Sequence, residues 1–160
     1  MSLDQELRAS GQAFFDAFAA NTPPIKMLHH FSTSSPAVLQ HTPLDCPHPF
    51  TSKLSGSNAL RSYFDLLATN WTRSNAHIRD ELEVDASNRR VVIPASVTWT
   101  WKRSGRHWRE DFTWTLDFDD TLKISSFVIR TMSGPGTCVM RAVDIDPVAT
   151  DKKMFAQAAL

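Results

Sequence analysis

The feature that most constrains the fold is a change of hydrophobic period along the chain. Before about residue 75 the apolar residues recur every three or four positions, which predicts helices. From Ala76 onward they alternate with polar residues, which predicts strands. A chain of 160 residues is long enough for one domain. Helices followed by strands predict an α+β domain, with three helices packed on one face of a strongly curved, mainly antiparallel sheet.

Three helices are expected in the first half of the chain. The first covers residues 3–20 and opens with a capping box at Ser2. The second is short and follows the prolines at positions 23 and 24. The third opens at Gly56, and its apolar stripe extends to Trp71. The Pro-rich stretch before it leaves room for a short strand at 38–42.

Four strands joined by short turns are expected in the second half. They cover residues 76–87, 91–103, 108–118 and 122–132. Odd positions are apolar in the second of these strands and even positions in the third, so these rows should face the helices. In the last strand the spacing from Ile124 to Phe127 indicates a bulge, which places Arg130 on the outer face.

Charge and composition exclude several classes of function. Lys and Arg total 17 and Asp and Glu total 17, so no net field attracts nucleic acid or a membrane surface. The sequence has no apolar run of about 20 residues and no basic leader, which predicts a cytoplasmic protein. Cys46 and Cys138 are too few for a disulfide framework, which favours a reducing compartment. Nucleotide-binding motifs and closely spaced metal ligands are also missing from the sequence, so we expect no cofactor and no metal.

Glu110 is the main candidate for proton transfer. It is the single charge in the inward-facing row from Trp108 to Phe118. An ionised carboxylate on an apolar face is costly, so Glu110 should have a raised pKa or a dedicated partner. The alternative is a solvated residue at the rim of the strand, or one bonded to a neighbouring side chain.

Two further side chains are candidate assistants. His41 lies on the predicted short strand, where an imidazole could transfer protons near neutral pH; the alternative is a histidine in a surface loop. Tyr63 could donate its hydroxyl to a carbonyl or alkoxide; the alternative is a core residue at the helix flank. Aromatic residues are expected to line the pocket, namely Trp99, Trp101, Trp108, Phe112, Trp114, Phe18 and Phe127.

The order of these elements resembles the SnoaL-like branch of the nuclear transport factor 2-like superfamily. The resemblance rests on the segment Leu54–Leu60 and the hairpin Leu116–Ile124, and it covers about residues 3–133. It implies a domain over 1–133, with 134–160 as a C-terminal extension. It also implies a cone-shaped α+β barrel that encloses one pocket, and a homodimer formed through the outer face of the sheet.

The resemblance also narrows the chemistry. Relatives of the limonene-epoxide-hydrolase type carry an Asp-Arg-Asp set, and the matching positions here are the apolar residues Ala95, Val97 and Ile129. Epoxide hydrolysis of that type is therefore disfavoured. Two hypotheses stay open. The first is a cofactor-independent isomerase, cyclase or dehydratase acting on a bulky, mostly apolar small molecule such as a natural-product intermediate. The second is a noncatalytic ligand-binding or dimerisation module of the same fold.

Overall fold

The computed structural model describes residues 1–43, 45–46, 53–134 and 136–145. Its α-helices are α1 (Leu3–Ala19), α2 (Pro24–Met27) and α3 (Ser57–Asn70). Its strands are β1 (Val38–Thr42), β2 (Lys53–Ser55), β3 (Trp71–Ile78), β4 (Glu83–Asp85), β5 (Arg90–Trp101), β6 (His107–Phe118) and β7 (Ile124–Thr131). Among the described residues, no helix has both the length and the apolar character needed to cross a membrane.

The strands form one curled sheet in the order β2-β1-β7-β6-β5-β3, and β4 pairs with β5 beside this path. All pairs are antiparallel except β1 with β7, which is parallel. The central pair β5–β6 runs in unbroken register from Arg90 opposite Asp117 to Thr100 opposite His107. The helices precede the long strands and pack on the sheet, so the predicted fold class is confirmed.

Helix α1 begins where the sequence predicts. The Ser2 hydroxyl accepts from the Gln5 amide at 3.2 Å, and the Gln5 side chain accepts from the Ser2 amide at 3.0 Å, which completes the capping box. The helix packs closely on β5 at Gly11, where a Cβ atom would lie 2.9 Å from Cγ1 of Val91. The absence of a side chain at Gly11 therefore sets how near α1 lies to the sheet.

The first predicted strand of the second half is wrong in its bounds. Strand β3 begins at Trp71, five residues before Ala76, so Trp71 belongs to the strand and not to the stripe of α3. The predicted strand is divided into β3 and β4, and the pairing of β3 with β5 shifts register after Ser74. Asn75 has a φ of 50°, a left-handed conformation that Asn tolerates better than most residues and that interrupts the alternation.

The predicted bulge in the last strand is confirmed. Asp117 pairs with Ser126 and Phe118 pairs with Ile124, so Ser125 is the extra residue on β7. Phe127 and Ile129 are buried as a result, and Arg130 is exposed on the outer face.

The cysteines depart from expectation. Cys46 and Cys138 form a disulfide across 92 residues of sequence, with their Cα atoms 6.0 Å apart. The inference of a reducing compartment therefore has no support from the cysteines. The segment after β7 returns to the curled sheet, and Val139 opens a 3₁₀ turn. Val139 and Met140 are buried there, at 3% and 6% exposure.

Candidate functional site

A small cavity lies inside the curled sheet, beneath the helices. Its volume is about 10 Å³, and eight of the predicted site residues line it. Three of them are polar, namely Glu110, His41 and Tyr63, and five are aromatic, namely Phe18, Trp99, Phe112, Trp114 and Phe127. The alternation of β5 and β6 therefore identified the inward face of the sheet correctly.

Trp101 and Trp108 do not line this cavity. They lie on the expected rows but near the turn that joins β5 to β6, where their rings pack with centroids 6.1 Å apart and planes tilted by 41°. Trp108 donates its indole N–H to the carbonyl of Thr137 at 3.0 Å. The strand period gives the face of a residue and not its depth, which is why these two were included in the predicted lining.

Glu110 lies on β6 with only 3% of its surface exposed, so the alternative of a solvated rim residue is wrong. The other alternative, a carboxyl bonded to neighbouring side chains, is what the structure shows. Three donors hold its carboxylate. The Trp99 indole N–H donates to Oε1 at 3.2 Å, while the Thr131 hydroxyl and the Val139 amide donate to Oε2 at 3.3 and 2.8 Å. It forms no ion pair with any described residue.

The environment of Glu110 brings the pKa of its carboxyl close to neutral pH. Burial raises the pKa of Glu110 to about 7, because the loss of hydration outweighs the three hydrogen bonds that favour the charged form. At neutral pH the acid and the carboxylate are both populated. A carboxyl in this state can take a proton and also return one.

His41 is buried in β1 at 1% exposure, so the alternative of a surface loop is wrong. Both ring nitrogens lack a hydrogen-bond partner among the described residues. Burial lowers the pKa of His41 to about 4, so the ring is neutral at physiological pH. A neutral imidazole offers one donor and one acceptor, and both are open to a ligand.

Tyr63 lies on α3 with 4% exposure, and its ring centroid is 5.6 Å from that of His41. Burial, and after it the charge of Glu110, raises the pKa of the Tyr63 phenol above its usual value. The hydroxyl therefore stays protonated and able to donate a hydrogen bond.

His29 and His30 do not line this cavity. His29 is exposed, and His30 is half-buried with its ring 5.4 Å from that of Phe14. His48 lies outside the described residues. Within the described ranges, no three His, Cys, Asp or Glu residues are grouped as metal ligands.

Two partners of Glu110 were not anticipated from the sequence. Thr131 ends β7 and Val139 lies beyond it, and the disulfide ties the Val139 segment to the loop after β1. A backbone amide such as that of Val139 has no signature in a sequence. The pair of cysteines was the one signal that this segment returns to the barrel.

No protein-family model matches the sequence, and a comparison with curated proteins finds no significant relative. Solved structures do match. The pinacolase BvnE from Penicillium brevicompactum has a TM-score of 0.69 at 15% identity, over 82% of this chain and 89% of that chain. AusH from Aspergillus nidulans has a TM-score of 0.67 at 16% identity, over 81% and 86%.

A third match is a protein from Xanthomonas campestris pv. campestris described as a candidate polyketide cyclase. Its TM-score is 0.63 at 16% identity, over 81% of this chain and 92% of that chain. These likenesses agree with the helices and the curled sheet described above. The chain therefore has a cone-shaped α+β fold of the nuclear transport factor 2-like type, as these solved structures do.

Proposed function

We propose that this protein is a small cofactor-independent enzyme of the isomerase, cyclase or dehydratase type. It acts by acid/base proton transfer on a bulky, mostly apolar small molecule, such as a natural-product intermediate. One observation carries the proposal: a buried carboxyl without a cationic partner shares an apolar cavity with a neutral histidine whose two nitrogens are unsatisfied among the described residues. The pinacolase and the candidate cyclase of similar fold support the general kind of activity.

Glu110 is the proton-transfer group. As a carboxylate it takes a proton from a substrate carbon or hydroxyl, and as the resulting acid it returns that proton to another atom of the same molecule. Its pKa of about 7 suits both steps at neutral pH. The donors from Trp99 and Val139 fix the carboxyl in one orientation.

Tyr63 and His41 act on the substrate oxygen. The protonated phenol of Tyr63 donates to an alkoxide or enolate as negative charge develops. The neutral His41 ring gives a second donor or an acceptor, according to its tautomer. Both lie in the same cavity as Glu110, so one small molecule is within reach of all three.

A bulky substrate requires the cavity to enlarge. A volume of about 10 Å³ holds roughly one water-sized group. Under the proposal, substrate binding displaces aromatic side chains of the lining, Phe18 and Phe127 among them. The small volume favours the second candidate function, a noncatalytic ligand-binding or dimerisation module whose cavity is filled by its own side chains.

We also propose a homodimer through the outer face of the sheet. Thr98, Thr113 and Thr115 lie on this face of β5 and β6, next to Arg109 and Asp111. The Arg109 Nε donates to Asp111 Oδ1 at 2.9 Å, so these charges already neutralise each other. A Thr-rich sheet face whose Arg109 and Asp111 charges are paired suits pairing with a second copy.

The function is tested with a generic proton-transfer probe. Cyclohex-3-en-1-one becomes the conjugated enone when a proton leaves the α carbon and returns to the γ carbon, and ultraviolet absorbance follows the product. Glu110→Gln should lower the rate by roughly 10²–10⁴-fold. Asp117→Asn, on the outer face of the same strand, is the matched control and should keep the rate.

Two results would decide against the proposal. Equal rates for wild type and Glu110→Gln would make Glu110 a structural residue. A wild-type rate at background, together with a small molecule retained in native mass spectrometry and never converted, would establish the binding module instead. Because native mass spectrometry also gives the mass of the assembly, the same run tests the dimer.

A further inference from the structure

A second cavity lies between the C-terminal end of α1, helix α3 and the start of β3. Its volume is about 90 Å³, and its lining includes Arg73, Lys102 and Trp71. Two of these residues are cations, and no Asp or Glu lines the cavity. Phe64 lines both this cavity and the one that holds Glu110, so the two are neighbours separated by an aromatic side chain.

Arg73 is a buried cation with unused donors. Only 8% of its surface is exposed, and it forms no ion pair with any described residue. Its Nε donates to the Phe18 carbonyl at 2.6 Å, and its Cζ lies 4.5 Å from the centroid of the Phe18 ring. Its two terminal amino groups donate to no described residue.

Burial lowers the pKa of Arg73 to about 10, so the guanidinium keeps its charge at neutral pH. The bond to Phe18 satisfies a carbonyl at the end of α1, which explains one of the five N–H donors of the side chain. The four N–H groups of the terminal amino groups donate to no described residue and are open to solvent or to a ligand. A largely buried guanidinium that forms no ion pair with any described residue would gain from an anion placed at these N–H groups.

Two more donors line the same cavity. The indole nitrogen of Trp71 is fully buried and has no hydrogen-bond partner among the described residues. Lys102 donates to the Ala68 carbonyl at 2.5 Å, which leaves further N–H groups of its ammonium available. Both residues line a cavity that has no Asp or Glu in its lining.

We infer that this cavity binds an oxyanion, a carboxylate or a phosphate group, through Arg73 with help from Trp71 and Lys102. The planar guanidinium matches either group with two parallel hydrogen bonds. The volume suits the charged end of a small organic acid or an inorganic anion rather than a large ligand. Glu110 does not line this cavity, and the inference does not depend on whether the protein catalyses a reaction.

The test uses the whole 160-residue chain and its tryptophan indole signals. The chain has five Trp residues, so a ¹H–¹⁵N spectrum shows a small set of indole N–H signals, and Trp71→Phe assigns the one from Trp71. Sodium acetate and sodium phosphate are titrated separately near pH 7, with sodium chloride holding the ionic strength constant. The Trp71 signal should shift with saturation for at least one oxyanion. Which anion saturates identifies the group that the site takes.

Arg73→Gln should weaken that binding by about 10-fold or more, because it removes a charge-assisted bidentate contact. Arg61→Gln removes an exposed cation of α3 and should leave the binding unchanged. If Arg73→Gln does not fold, Lys102→Gln serves in its place. Because Lys102 is exposed, its substitution should leave the fold intact, and it should weaken anion binding measurably. A shift that is linear and equal for chloride, acetate and phosphate, or one that survives both substitutions, would overturn the inference.

Discussion

Replacing Glu110 by Gln should change how the stability of the protein depends on pH. The ordinary carboxyl pKa of 4.5 applies to the unfolded chain, whereas burial raises the pKa of Glu110 to about 7 in the folded state. Between these values the folded state holds a proton that the unfolded state has released, so the free energy of unfolding falls as pH rises. At about 1.4 kcal/mol per pH unit, the loss across this window is about 3 kcal/mol.

His41 contributes the opposite slope. Burial lowers its pKa from 6.5 to about 4. Between these values the unfolded state binds more protons, so the free energy of unfolding rises with pH, again by about 3 kcal/mol. The two contributions nearly cancel between about pH 4.5 and 6.5. In Glu110→Gln the free energy of unfolding should therefore rise with pH, because only the contribution of His41 is left. In His41→Gln it should fall with pH, because only the contribution of Glu110 is left.

Urea unfolding at a series of pH values from about 4.5 to 7.5, followed by tryptophan fluorescence, measures these slopes. Relative to wild type, Glu110→Gln should gain about 3 kcal/mol between pH 4.5 and 6.5. His41→Gln should lose a similar amount between pH 4.5 and 7.5. Asp117→Asn is the control: it loses the ion pair with Arg90, so its profile should run parallel to the wild-type profile. Parallel profiles for all four proteins would refute the reasoning that burial holds both groups neutral.

Three further outcomes are expected. Phe112→Ala should cost about 3–5 kcal/mol in urea unfolding, because the ring is 1% exposed in the core; a cost under about 1 kcal/mol would show that the assigned strand phase is wrong. Cys46→Ser should cost about 4 kcal/mol in the absence of reductant, because the disulfide closes a loop with a sequence separation of 92 residues; equal stability with and without the bond would contradict this. Thr113→Lys should convert the proposed dimer to monomer in sedimentation, and an unchanged dimer would move the interface elsewhere.

The parts of the fold that the sequence predicts are those with local causes. The capping box at Ser2 and the alternation along β6 each depend on residues that are neighbours in the chain. The alternation of buried and exposed residues along β6 was enough to identify Glu110, because it is the one charged residue among the inward-facing positions from Trp108 to Phe118. The bulge at Ser125 followed from the need to bury both Phe127 and Ile129.

The start of β3 shows where local reasoning fails. Trp71 fits the spacing of the α3 stripe and also the inward row of a strand, so its pattern supports both assignments. Placing the strand start at Ala76 left Arg73 in the stretch between helix and strand, where its direction was undefined. Once β3 begins at Trp71, the alternation turns Arg73 inward along with it. A five-residue error in one boundary therefore concealed a buried cation.

The contrast between Glu110 and His41 shows why the remaining parts of the site were out of reach. Glu110 is satisfied by Trp99, Thr131 and Val139, which lie on three different segments of the chain. His41 lies in the same cavity and has no partner among the described residues. A sequence shows which polar residues face inward and says nothing of which distant donors reach them. The three donors hold the Glu110 carboxyl in one orientation, whereas both ring nitrogens of His41 lack a described partner and can offer a donor or an acceptor to a ligand.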